Sequence, residues 1–150
     1  MNTINPPIGF NTSFFDWLGT IGNELSVNFI ERGGLSPSEI SVFEQEIGGD
    51  LPTQIRVYYE NCNPWAIWKN PLSLWRRIQR DIGFLKKTNE PILPIDINSQ
   101  QGNYTIARVL GPNEYEIIDI KRDGAVKPHK GDLRSYFVEA VQEEIRRSTQ

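Results

Sequence analysis

One cysteine and one histidine are the side chains of this sequence best suited to nucleophilic chemistry. Cys62 lies in an Asn-rich stretch, and His129 lies 67 positions later, between a proline and a lysine. A catalytic dyad would require the fold to bring the two together, because the imidazole must take the proton of the thiol. Neither residue has the local sequence typical of a cysteine hydrolase. We therefore interpret Cys62 as a partly buried small thiol and His129 as an exposed loop residue, with a Cys62–His129 enzyme as a remote alternative.

The sequence lacks the motifs that typically bind metals, phosphates and nucleotides. Two-Cys or two-His clusters with zinc-ligand spacing are absent from the sequence. The glycine pairs at 33–34 and 48–49 lack the Gly-Lys-Ser/Thr that completes a P-loop. No dinucleotide fingerprint and no Gly-x-Ser-x-Gly elbow is present. No motif in the sequence therefore points to a set of catalytic residues, a cofactor or a metal, and none of these is expected.

The carboxylates are numerous but do not form an obvious catalytic pair. Glu44 and Glu46 are two residues apart, so they do not face each other on a helix. Asp96 and Asp119 fall in predicted strands with apolar neighbours, where alternation favours side chains that point outward. The alternative for this second pair is that both line a shared cleft.

Charge is distributed unevenly along the chain. The net charge is −3, which argues against a general nucleic-acid binder. Residues 11–60 carry eight acidic and two basic side chains, whereas residues 69–87 carry six basic and one acidic side chain. If these segments lie on different faces, the molecule is strongly dipolar, and such fields steer charged partners.

The elements that would position these residues begin with helices. The apolar stripe predicts a helix from residue 12 or 13 to about residue 31, after an irregular arm over residues 1–11. Ser36, Pro37 and Glu39 form an N-cap and capping box for a second helix, which ends at Gly48. Pro52 begins a third helix, and apolar spacing predicts another over residues 71–87 with a basic opposite face.

The hydrophobic period changes to that of strands after residue 91. Four short strands over 92–97, 104–110, 115–120 and 125–128 are separated by turns, the last of them of the Asp-Gly type. Asp132 or Ser135 then caps a final helix. Helices followed by an antiparallel meander and a helix predict a single α+β domain over residues 12–150. In it, N-terminal helices pack on an antiparallel sheet of four or more strands, with a C-terminal helix.

Two tryptophans provide the main candidates for apolar anchors in a binding surface. Trp65 and Trp68 fall in a predicted loop, which exposes side chains more readily than a core element. Core packing is the competing interpretation, because large aromatic side chains bury much area. Tryptophan is favoured at protein–protein interfaces, so the pair also suits a partner-binding patch.

The order of motifs resembles the SUKH superfamily of fungal cell-wall-assembly regulators and bacterial immunity proteins. The resemblance extends over residues 33–147 and rests on several short motifs. These are Ser36-Pro37-Ser38-Glu39, Gly48, Leu51-Pro52, Tyr58-Tyr59 with Asn61, Leu93-Pro94-Ile95, Gly102-Asn103-Tyr104, Asp123-Gly124-Ala125-Val126 and the final helix over 133–145. The chain departs from the family pattern at Asn61-Cys62-Asn63-Pro64, where Asn-Gly is usual.

This resemblance implies a non-catalytic binding domain. Bacterial members are commonly immunity proteins that neutralise toxin domains, and fungal members are regulatory interaction modules. The acidic first half would suit a basic toxin such as a nuclease, and the partner-binding residues expected are Glu44, Glu46, Asp50, Glu60, Trp65 and Trp68. No direct contact with nucleic acid or membrane is expected. A single cysteine and no bilayer-length apolar run predict a cytoplasmic protein.

Overall fold

The computed structural model describes residues 5–63, 91–98, 103–121 and 125–149, which form four helices and a four-stranded antiparallel sheet. The predicted α+β class is therefore correct. The helices are α1 (Thr12–Leu25), α2 (Pro37–Ile47), α3 (Thr53–Asn61) and α4 (Leu133–Ser148). The strands are β1 (Ile92–Asn98), β2 (Asn103–Gly111), β3 (Glu114–Ile120) and β4 (Val126–His129).

Several predicted features lie outside the described residues. These are the tryptophans Trp65 and Trp68, the basic helix over 71–87, and the turns over 99–102 and 122–124.

The sheet is a simple meander in which each strand pairs with the next. Asp96 pairs with Thr105, Thr105 with Asp119, and Asp119 with Lys127, so these residues lie in one row across the four strands. Each outer strand carries a proline, Pro94 in β1 and Pro128 in β4. Proline cannot donate a ladder hydrogen bond, so both outer strands are poor templates for further pairing.

Helices α2 and α3 form as their local sequence predicts. The Ser36 hydroxyl accepts from the Glu39 backbone N–H at 3.2 Å, and the Glu39 carboxylate accepts from the Ser36 N–H at 2.9 Å. Gly48 ends α2 with a φ of 76°, a left-handed conformation that glycine adopts without steric cost. Because these signals lie within a few residues of the backbone groups they satisfy, they can be read from sequence.

The first helix is shorter than predicted, because it ends at Leu25 and not near residue 31. Ser26 takes a left-handed φ of 57°, and the Val27 N–H donates to the Gly22 carbonyl oxygen at 2.9 Å. A Cβ at Gly22 would lie 2.5 Å from the Val27 carbonyl oxygen. The chain therefore turns back across Gly22, a contact that the helical stripe of apolar residues does not reveal.

Aromatic side chains join the helices to the sheet. Phe15, Tyr58 and Phe137 come from α1, α3 and α4, and their rings pack against one another with centroids 5.5 to 6.5 Å apart. The hydroxyls of Tyr58 and Tyr59 donate to the carbonyl oxygens of Ile95 and Pro94 at 2.5 and 2.8 Å. Buried polar groups need such partners. Helix α3 is thereby fixed against β1, at the irregularity between Pro94 and Asp96.

A second set of hydrogen bonds fixes α3 relative to α4. Asp132 caps α4 by accepting from the Ser135 N–H at 2.9 Å, and it also accepts from Gln54 Nε2 at 3.0 Å. Gln54 Oε1 accepts from the Leu133 N–H at 3.0 Å and from the Tyr115 hydroxyl at 2.5 Å. One glutamine of α3 therefore connects the start of α4 with β3, and this holds the orientation of α3.

Candidate functional site

The candidate site lies where α2 and α3 present their acidic side chains, and its centre is an ion pair. Glu44 Oε2 of α2 accepts from Arg56 Nη2 of α3 at 2.5 Å and from the Leu51 N–H at 3.2 Å. The hydrogen bond from Arg56 and the bond from Leu51 outweigh desolvation and lower the pKa of Glu44. Glu44 is therefore firmly anionic and fixed in position.

A shallow depression of about 420 Å³ opens beside this ion pair. Leu35 and Ile40 contribute buried apolar side chains to it, while Glu44, Arg56 and Glu60 contribute charge. We call this surface the acidic depression; its lining also includes Pro37 and Ser41. An apolar base with carboxylates beside it suits the aliphatic stem and charged end of a lysine or arginine from a partner.

Three carboxylates act on the single guanidinium of the acidic depression. The hydrogen bond to Glu44 is the main cause that raises the pKa of Arg56, and the charges of Glu60 and Asp50 raise it further. The group of Glu44, Asp50, Glu60 and Arg56 therefore keeps an excess of negative charge. Of the four acidic residues predicted for partner binding, Glu44 and Glu60 line the depression, and Asp50 lies outside its lining but acts on Arg56. Glu46 is an exposed residue of α2 outside the depression.

Both basic residues of the acidic segment are engaged in ion pairs. Arg56 bonds to Glu44, and Arg32 bonds to Asp16 with Nη1 and Oδ1 2.8 Å apart. Since residues 11–60 hold eight acidic and only these two basic side chains, six carboxylates remain in excess. The segment over residues 11–60, which contains α1, α2 and α3, therefore carries a net charge of −6.

A different polar cluster lies between the sheet and α4, and we call it the sheet cluster: Thr105, Asp119, His129 and Tyr136. Asp119 accepts from the Thr105 hydroxyl at 2.6 Å, and His129 Nε2 lies 2.6 Å from the other carboxylate oxygen. The Tyr136 hydroxyl lies 3.3 Å from Thr105 Oγ1, and its ring packs edge-on against His129.

The sheet cluster corrects two sequence interpretations. Asp119 was expected to point to solvent and His129 to lie in an exposed loop, but their side chains are only 19% and 20% exposed. His129 is the last residue of β4, and because Asp119 pairs with Lys127 across the hairpin, His129 shares its face. A two-residue Asp-Gly turn would instead place Asp119 opposite Pro128, so counting outward from the turn does not give this register.

Cys62 and His129 have their bonding partners in separate parts of the fold. The Cys62 backbone pairs with Arg32 beside the end of α3, whereas His129 bonds to Asp119 in the sheet. Burial raises the pKa of the fully buried Cys62 thiol to about 12. Since the thiolate is the reactive form, this cysteine is a poor nucleophile at neutral pH.

Comparisons with protein-family models, with curated proteins and with solved structures find nothing that matches the chain. Within the described ranges, no group of three or more His, Cys, Asp or Glu side chains is placed to hold a metal ion. No helix among those described has the length and apolar character needed to cross a membrane. What the site itself shows is a group of carboxylates around Arg56, of which Glu44 is bonded directly to the guanidinium.

Proposed function

We propose that this chain is a non-catalytic protein-binding domain, an immunity protein that binds and neutralises a cognate bacterial toxin domain. The observation that carries the proposal is the acidic surface of residues 11–60, whose only two arginines are already engaged with carboxylates. The motif order that resembles the SUKH superfamily gives independent support. A cytoplasmic site of action is part of the same proposal.

In the proposed mechanism, the acidic surface covers the active cleft of a basic toxin. Enzymes that cut nucleic acid carry basic clefts, because their substrate is a polyanion. Opposite charge increases the rate of encounter and favours the correct orientation. Lysine or arginine side chains from the toxin would then enter the acidic depression between Glu44 and Glu60, and access of the substrate would be blocked.

The ends of the sheet support a helical binding surface over strand addition. Pro94 and Pro128 interrupt the two outer strands, and the hydroxyls of Tyr58 and Tyr59 occupy carbonyl oxygens of β1. A partner that added a strand would need those backbone groups free. The surface of α2 and α3 has no such obstacle, so we place the partner there.

The test is co-expression of the chain with the C-terminal domain encoded next to it in the source genome. We expect the two proteins to copurify and the toxicity of that domain to be lost. Copurification with undiminished toxicity, or no association with the neighbouring product, would contradict the immunity function. Association with a housekeeping protein instead would favour the alternative, a regulatory interaction module.

A Cys62→Ser variant addresses the remote enzymatic alternative in the same assay. If toxin neutralisation is retained at the wild-type level, the thiol has no catalytic part in it. Loss of neutralisation by a folded Cys62→Ser protein would support a Cys62-dependent activity.

A further inference from the structure

A second depression, the hairpin groove, separates the turn between α2 and α3 from the β2–β3 hairpin. Its volume is about 730 Å³, which falls in the range of roughly 300 to 1,000 Å³ usual for ligand pockets. Its lining residues are Ile47, Gly48, Gly49, Asp50, Leu51, Thr53, Pro91, Val109, Leu110, Gly111, Pro112 and Asn113. The lining combines apolar and polar surface, and one of its members is a leucine with 46% of its surface exposed, Leu110.

The two walls of the hairpin groove are fixed to each other. Asn113 Oδ1 of the hairpin turn accepts from the Thr53 N–H at the start of α3, at 2.8 Å. On the other side, the Val109 N–H donates to the Pro91 carbonyl oxygen at 2.8 Å. These bonds join segments that are distant in sequence, so the groove is present before any partner binds.

Part of the groove is open because glycine lines it. A Cβ built on Gly49 meets no atom within 4 Å, and Gly49 has no positive φ. A side chain at this position would therefore occupy free space without backbone strain. The glycine keeps open a volume that a partner side chain can enter.

One carboxylate lines the groove, and a second lies close to Gly111 of the opposite wall. Asp50 lines the wall of the α2–α3 turn, and Glu114 Oε2 lies 3.6 Å from the position a Cβ of Gly111 would take. The residues described as lining the groove include no lysine or arginine. Asp50 also acts on Arg56 of the acidic depression, so the negative charge continues from one depression to the other.

We infer that the hairpin groove binds an aliphatic side chain of the protein partner that is flanked by lysine or arginine. The apolar part of the lining, including exposed Leu110, would bury the aliphatic group, and the carboxylates of Asp50 and Glu114 would pair with the flanking cations. This inference deepens the proposed function and rests on it for the identity of the partner as a basic protein. It adds an apolar anchor site to the acidic surface.

The direct test uses three capped pentapeptides and the isotope-labelled full chain. Leucine alternates with lysine in the probe, leucine with glutamate in the first control, and serine with lysine in the second. We expect the probe to shift the amide signals of Gly49, Leu110 and Gly111, with both controls at least about tenfold weaker. Equal binding of either control, or shifts confined to other surfaces, would overturn the inference.

Two pairs of variants separate the groove from general effects of substitution. Leu110→Asp is matched by Val126→Asp, since Val126 of β4 is 44% exposed. Gly49→Tyr is matched by Gly19→Tyr, because a Cβ on Gly19 of α1 also meets nothing within 4 Å. The groove variants should weaken probe binding about tenfold and the control variants should not. Equal weakening within both pairs would contradict the groove as the binding site.

The same variants in the toxin assay distinguish failure of this inference from failure of the proposed function. If Leu110→Asp and Val126→Asp neutralise the toxin equally well, the groove is not the anchor site, although the immunity function stands. If the probe binds the groove but the wild-type chain protects against no neighbouring toxin, the immunity function is wrong and the groove remains a binding site.

Discussion

The acidic depression and the sheet cluster each contain a carboxylate with two hydrogen-bond partners, yet their surroundings differ. Glu44 bonds to Arg56 and the Leu51 N–H, and two further carboxylates leave the negative charge unbalanced. Asp119 bonds to Thr105 and His129, and the His129 ring packs edge-on against Tyr136. The first arrangement leaves charge directed to solvent, whereas the second uses its polar groups to join β2, β3 and β4 near α4.

The two regions also differ in the direction in which the pKa of a carboxyl group is shifted. The hydrogen bond from Arg56 lowers the pKa of Glu44. Asp96 stands next to the sheet cluster and keeps an exposed surface, yet the protein atoms around its carboxyl raise its pKa and the charge of Asp119 adds to this. A fixed cation therefore stabilises the ionised form of Glu44, whereas burial, with a smaller effect from a second carboxylate, favours the protonated form of Asp96.

Of the stability changes considered, removal of the Asp119 carboxylate should cause the largest loss in the free energy of unfolding. Asp119→Ala leaves His129 and Thr105 without their partner, and we expect the free energy of unfolding to fall by about 2 kcal/mol. Urea denaturation measures this change. Glu139→Ala is the matched control, since Glu139 is 58% exposed and lies 4.0 Å from His129. Equal losses of unfolding free energy for the two variants would show that the hydrogen bonds of Asp119 stabilise the fold no more than an exposed carboxylate does.

Reversing charge at the acidic depression should affect association more than stability. We expect the double variant Asp50→Lys, Glu60→Lys to bind the toxin domain about tenfold more slowly at low salt, because the field that steers a basic partner is reversed. Stopped-flow measurements over a salt series give the rates. The control reverses two acidic residues of α4, Glu143 and Glu144; equal slowing there would indicate net charge and not the depression.

The hydroxyl of Thr105 offers a milder change in the sheet cluster. Thr105→Val keeps the size of this buried side chain but removes the hydrogen bond to Asp119, so we expect a loss of about 1 kcal/mol in the free energy of unfolding. Toxin association should be unchanged. A Thr20→Val control, at an exposed position of α1, should be nearly neutral, and a variant at Thr105 that is equally neutral would contradict the role of the hydroxyl.

The smallest change in the free energy of unfolding is expected when the ion pair of the acidic depression is removed. Because Arg56 is 40% exposed, solvent screens the pair, and Glu44→Gln should cost only about 0.5 kcal/mol at pH 7. The folded-state pKa of Glu44 lies below its ordinary value of 4.5. Its contribution is therefore fully present above that value and is lost as the pH falls through the folded pKa.

Denaturation of the wild type and Glu44→Gln at pH 7 and at progressively lower pH checks that sign. The difference between the two proteins should shrink on acidification. A difference that is constant with pH would mean that the stabilisation does not come from the ionised carboxylate.

Short-range patterns made much of the fold predictable. The capping box at Ser36 and Glu39 and the glycine at 48 act on backbone groups within one helical turn, so α2 was read correctly. The four strands were also found, because alternation and turns are local. The length of α1 was not, since its end depends on the contact between Val27 and Gly22 after the chain has reversed.

The negative charge of the candidate site was predictable from the sequence, but the arrangement of its side chains was not. Counting charges shows that residues 11–60 are acidic, and that fact does not depend on the fold. Which carboxylates meet was a tertiary matter: Glu44 lies 12 positions before Arg56, and only the packing of α2 against α3 brings their side chains within 2.5 Å.

By itself, the amino-acid sequence determined the α+β class, the helix caps and the acidic character of the helical segment, because these follow from neighbouring residues and from composition. The tertiary structure alone decided that Glu44, Asp50 and Glu60 surround Arg56. It likewise decided that Asp119 and His129 form a hydrogen bond between the sheet and α4, and that a groove opens beside Leu110. The physical reason is that these features require side chains from separate elements to meet, and their distances depend on how the whole core packs.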